Sequence, residues 1–144
     1  MHPSNDTDPV SAEIIALERA ALERWGEGDP QGYLEIDAGE VTYFDPMIES
    51  RIDGLAAMRD YLLPFTGKFR IERFEMVNPK VQRHGDAAVL SFNLVDYGRQ
   101  PGGGEAVTLR WNSTEVYARI GGAWKIIHSH WSYVKGAVIA GSPK

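Results

Sequence analysis

The second half of this chain is a series of long strand-like runs separated by short turns, which limits it to a sheet protein with helices added. Ala87 to Tyr97 reads as one strand, and Val107 to Arg119 and Ala123 to Tyr133 form a hairpin across Gly121-Gly122. Between Lys68 and Val77 the alternation slips. Phe69 and Ile71 share one parity while Phe74 and Met76 share the other, which predicts a bulge near Glu72 and Arg73. Asn78-Pro79 and His84-Gly85-Asp86 read as turns, and Gly98 to Gly104 as a loose loop.

The first half carries helix signals instead. Asp8-Pro9 supplies a cap and a proline at the first helical position, and Ile14, Leu17, Ala21, Leu22 and Trp25 then recur at helical spacing until Gly26 and Gly28. Asp29-Pro30 repeats the signal before Tyr33, Leu34 and Ile36. Val41 to Asp45 is strand-like and ends at Pro46, and Asp53 is placed to cap a third helix with Leu55, Met58 and Leu62 on one face. Helices followed by a strand meander predict an α+β domain: a cone-shaped, curved antiparallel sheet wrapped around N-terminal helices, with a closed end and an open mouth. Such clefts suit small ligands.

With 144 residues, 43% of them hydrophobic and 24% charged, there is material for one core and one domain. Its expected bounds are residues 8 to 136, with a disordered leader over 1–7 and a short tail over 137–144. The net charge of −5 and the scattered basic residues give no electrostatic footprint for nucleic acid. No apolar run is long enough to span a membrane, and the first residues lack the pattern of a secretory signal, so the expected location is the cytoplasm. The absence of cysteine excludes disulfides, thiolate nucleophiles and cysteine-ligated metals. Gly102-Gly103-Gly104 lacks the lysine and helix of a phosphate loop, and no cofactor is implied.

Two carboxylates are candidate catalytic groups. Asp45 ends a strand before a proline, where Asp serves as a turn residue or, in an apolar cleft, as a general base. Glu115 lies mid-strand, where a charge must be solvated, paired or functional. Trp111 is four residues from Glu115 and shares its face. His128 and His130 share the other face from Ser129 and Trp131, so they point outward unless a bulge intervenes, and they offer no third ligand for a metal.

The order of elements resembles the nuclear-transport-factor-2-like superfamily, whose fold is also called a cystatin-like roll. Phe44-Asp45-Pro46, Asp53-Gly54-Leu55, Asn78-Pro79-Lys80-Val81, Ser113 to Tyr117 and Gly122 to His130 are similar to the association (hub) domain of calcium/calmodulin-dependent protein kinase II. The first half also resembles ketosteroid isomerase and the SnoaL-like cyclases, through Asp45-Pro46, Gly54, Ala57, Arg59 and Tyr61. The isomerase resemblance makes Asp45 the general base, but it places Ala21 where an oxyanion tyrosine would stand. The hub resemblance puts Asn93, Glu115 and Trp131 at the positions of three pocket arginines, and Met58 at that of a pocket histidine.

These matches imply one cavity shared by Tyr43, Asp45, Met58, Asn93, Trp111, Glu115 and Trp131, holding a neutral, aromatic or cationic small molecule. The function expected first is a small-molecule-binding, self-associating domain. An isomerase, cyclase or lyase using Asp45 is the alternative, and a protein-interaction module the second. A homodimer is expected through the outer sheet face, with Leu90, Phe92 and Leu94 as its apolar surface.

Overall fold

A computed structural model describes residues 8–68, 70–99 and 104–136 of the chain. The expected leader, the expected tail, Phe69 and most of the glycine loop lie outside the described residues. Helix α1 (Pro9–Gly26) begins where Asp8 Oδ2 accepts the amide and hydroxyl of Ser11, a side-chain cap on an otherwise orphaned helix end. Its buried face holds Ile14, Glu18, Ala21 and Leu22. Helix α2 (Gln31–Ile36) follows Asp29, whose carboxylate accepts the Gln31 amide and is bridged by Arg24.

Six strands form one sheet: β1 (Asp37–Phe44), β2 (Ile52–Asp53), β3 (Ile71–His84), β4 (Ala87–Arg99), β5 (Ala106–Ile120) and β6 (Ala123–Tyr133). The order across the sheet is β2-β1-β6-β5-β4-β3. Every pairing is antiparallel except β1 with β6, which run parallel and are joined by the long crossover of β2, α3 and the strands β3 to β5. Helix α3 (Leu55–Leu62), closed by a 3-10 turn at Leu63–Phe65, packs on β1, and α1 packs on β3. The fold is therefore α+β, an open curved sheet covered on one face by N-terminal helices.

Several local expectations change. Asn78-Pro79 is not a turn but an irregularity inside the single long strand β3, where Asn78 takes a positive φ of 55°. A second irregularity, between Ile71 and Arg73, falls where the parity slip predicts a bulge. Asp53 does not cap α3. It pairs with Arg51, while Gly54, at φ 92°, precedes the helix in a conformation that a side chain would strain.

Leu90, Phe92 and Leu94 do not form an outer apolar face. They are 0%, 5% and 3% exposed and belong to the core with Ile14, Leu34, Val41, Met58 and Ile126. Alternation identifies two faces but not which of them the helices cover, and here they cover the greasy one. The opposite face is mixed, with Val77, Val89, Val95 and Val116 around a polar ladder. The Asn93 amide donates to Asn112 Oδ1 and to the Trp111 carbonyl, and the Asn112 amide donates to Ser132 and to the Tyr133 carbonyl.

In β6, Val116 pairs with His128 and Tyr117 with Ile126, so Ile127 is an extra, unpaired residue. Trp124 and Ile126 point into the core on one side of it, and Ser129 and Trp131 point inward on the other. A bulge does intervene, and it keeps His128 and His130 on the outer face. There the Phe44 ring adjoins both imidazoles, and His128 Nδ1 lies 2.7 Å from Thr42 Oγ1. Burial, then the neighbouring His130, holds His128 below its ordinary pKa.

Candidate functional site

The helices and the inner sheet face enclose a cavity of about 340 Å³. Its walls include seven aromatic side chains, among them Tyr43, Tyr61, Trp111 and Trp131, and it opens past Met47, Leu109 and Arg99. The two indoles meet edge to face at 6.0 Å between centroids, Trp131 does the same with Phe92 at 5.8 Å, and Tyr133 stacks on Trp111 at 4.6 Å. Each indole is thus held by other rings, so the aromatic wall is stiff before any ligand arrives.

Of the sequence candidates, Tyr43, Asp45, Met58, Trp111 and Trp131 line this one cavity. Asn93 does not reach it. Asn93 pairs with Asn112 on the solvent face, while the neighbouring Leu94 pairs with Trp111 and shares its inward face. Glu115 lies directly opposite Ser129, which lines the cavity, and is itself 0% exposed.

Asp45 sits where β1 leaves the sheet. Its Oδ2 accepts the hydroxyls of Tyr43 at 2.8 Å and Tyr61 at 2.6 Å, and Oδ1 accepts the Met47 amide at 2.7 Å. A carboxylate oxygen accepts about two such bonds, so Oδ2 is occupied and Oδ1 keeps one acceptor position. Burial, and then the Asp45 charge, push the Tyr43 hydroxyl well above its ordinary range. Both phenols stay protonated and serve as fixed donors.

Three further carboxyl groups shape the site, and none was among the sequence candidates. Asp96 on β4 lines the wall and accepts the Trp111 indole N–H at 3.2 Å. Burial pushes its pKa up to about 6 against the opposing effect of that bond. Asp37, at the start of β1, lines the inner end; burial and then Glu18 raise it to about 8 although Lys125 opposes them. Behind it, Glu18 is 0% exposed and accepts Tyr33 Oη at 2.6 Å and Tyr117 Oη at 2.7 Å.

Glu115 adjoins Glu18 and Ser129, whose hydrogen bonding acts on it in opposite directions, and no other described donor reaches its oxygens. Burial first, then the Glu18 charge, hold it in the protonated form. Signals for two of these groups were present. Asp96 shares the parity of Leu90, Phe92 and Leu94, and Glu18 falls four residues after Ile14 on the apolar stripe of α1.

Among the described residues, no group of three or more histidine or carboxylate side chains is arranged to hold a metal ion, and no helix is long and apolar enough to cross a membrane. The enclosed, aromatic, carboxyl-bearing cavity inside a helix-covered cone defines a domain of the nuclear-transport-factor-2-like superfamily.

Residues 10–135 match the calcium/calmodulin dependent protein kinase II association domain, and the chain belongs to that family. Among solved structures it is similar to a Parabacteroides distasonis protein assigned provisionally as a ketosteroid isomerase. The two are 36% identical over 93% of this chain and 94% of the other, with a TM-score of 0.74. A nuclear-transport-factor-2-like protein of unknown function from Pseudomonas putida is 25% identical over 84% of each chain, with a TM-score of 0.72. The association domain of the Caenorhabditis elegans kinase is 24% identical over 88% of this chain and 98% of its own, with a TM-score of 0.73. No curated protein matches the sequence significantly.

Proposed function

We propose that this chain is a self-associating domain that holds a small, flat organic molecule in its aromatic cavity. The observation that carries the reading is the ring-on-ring support of Trp111 and Trp131, which keeps an apolar surface exposed to the cavity instead of letting it collapse. Because Trp25, Trp111 and Trp131 line it, a bound aromatic ligand changes tryptophan fluorescence. The test is a fluorescence screen of planar aromatics with the whole chain, repeated on Trp131→Ala. Saturable quenching that the variant loses supports the reading, and no saturable response across the screen overturns it.

Self-association rests on membership of the association-domain family. The polar ladder Asn93–Asn112–Ser132 and the nearby His128 and His130 form the face assigned to it, in a homodimer at the least. Light scattering that returns the monomer mass at micromolar concentration removes this part.

A second reading is proton transfer on a carbonyl compound with Asp45 as base. It is favoured by the free acceptor position on Oδ1 and by the similarity to the Parabacteroides distasonis protein. Asp45→Asn would then lower an established rate by orders of magnitude. An unchanged rate leaves Asp45 as the anchor of Tyr43 and Tyr61 alone.

A further inference from the structure

The charge inside the cavity is one-sided. Asp37, Asp45 and Asp96 all line it. The arginines that also line it, Arg70 and Arg99, are exposed, and Arg99 lies 3.5 Å from Glu72. At the inner end Glu18 stands behind Asp37, and Glu115, fully buried on the inward face of β5, stands behind Ser129 in its protonated form. The same space is walled by Trp111, Trp131, Tyr43 and Tyr61, whose ring faces carry negative electrostatic potential.

A neutral ligand would use the rings and leave the carboxyl groups without a counter-charge. An anion would meet both unfavourably. From this arrangement we infer that the ligand is an organic cation, an amine or quaternary ammonium on a flat or compact apolar frame. Its positive head lies between Asp96 and Asp45 against the indoles of Trp111 and Trp131. The inference rests on the cavity being a small-molecule site.

Burial already pushes Asp96 up to about 6, and Asp37 up to about 8 even against the opposing Lys125 charge, so a cation in the cavity would meet carboxyl groups that it can hold in the charged form. The Asp45 oxygens are held by two phenols and an amide, which fixes the orientation of that carboxyl group toward the cavity. Asp96 is held by the indole N–H of Trp111, so the ring that would cover the cation also orients one of its counter-ions.

The test is calorimetric titration of the full chain with three matched probes: 3-hydroxyphenyltrimethylammonium, its uncharged isostere 3-tert-butylphenol, and 3-hydroxybenzoate. The cation is expected to bind at least about tenfold more tightly than the isostere, the scale of a desolvated cation–π contact, with no binding of the benzoate. Asp96→Asn and Asp45→Asn should each weaken the cation severalfold more than they weaken the isostere. If the isostere binds as well as the cation, or the benzoate binds best, the inference is overturned while the cavity remains a ligand site. If none of the three binds, the small-molecule reading falls and the inference falls with it.

Discussion

Glu18 of α1 and Glu115 of β5 adjoin each other with no exposure to solvent, and Glu18 receives a phenolic O–H on each oxygen, from Tyr33 and Tyr117. The proton of the pair belongs to Glu115, which burial and the Glu18 charge hold in its neutral form. Two buried carboxylates this close could not both ionise without a cation, and the described residues bring none to Glu115.

Glu115→Gln should consequently stabilise the protein at neutral pH. The folded-state pKa of Glu115 lies above its ordinary value of 4.5, so the folded chain keeps a proton that the unfolded chain releases. Stability is full below that ordinary value and falls as pH rises toward the folded one. Glutamine keeps the shape and removes the titration. A gain of at least about 1 kcal/mol at pH 8 and little change at pH 4 is expected from urea unfolding. An equal loss at both values would mean that Glu115 is ionised in the fold.

Asp96→Asn tests the same linkage at the cavity wall. The carboxyl moves from its ordinary 3.8 to about 6, so its cost is absent in acid and complete above pH 6. The drop in unfolding free energy between pH 4 and pH 8 should shrink by about 2 kcal/mol in the variant. The asparagine carbonyl still accepts the Trp111 indole, which keeps the wall in place during the measurement.

Trp131→Ala should lower stability by about 3 kcal/mol, because it removes the ring that meets both Phe92 and Trp111 edge to face. Trp131→Phe should cost less than half as much. Chemical denaturation of both variants checks the ratio. Equal losses would show that neither retained volume nor a smaller ring replaces the indole.

Gly98 lines the cavity where β4 passes the start of β3, and a Cβ there would stand 3.0 Å from the Arg70 carbonyl. Gly98→Ala should therefore displace the first residues of β3, lower the melting temperature by several degrees and weaken any cavity ligand. Gly39→Ala, with nothing within 4 Å of the added carbon, is the control and should be nearly silent toward ligand.

Much of the fold could be read locally. The Asp8 cap, the stripe of α1 and the hairpin across Gly121-Gly122 each follow from neighbouring residues. The parallel pairing of β1 with β6 could not be read that way, since it joins segments separated by most of the chain. Asp96 shows the limit most plainly. Its parity with Leu90, Phe92 and Leu94 was visible, but strand alternation does not say which face the helices cover. The expectation of Leu90, Phe92 and Leu94 on the outer face and Asn93 in the cavity is reversed in the structure, and Asp96 faces inward with the leucines. Long-range packing made the choice, and no spacing within β4 encodes it.

The unpaired Ile127 carries a consequence for chemistry. Trp124 and Ile126 fall on one phase of the strand and Ser129 and Trp131 on the other, and a single out-of-step residue lets both phases point the same way. Were that slip moved beyond Trp131, the inward positions would pass to His128 and His130, replacing a hydroxyl and an indole with two imidazoles. Whether the chamber is an aromatic box or a histidine-lined one thus depends on where along β6 one residue drops out of step.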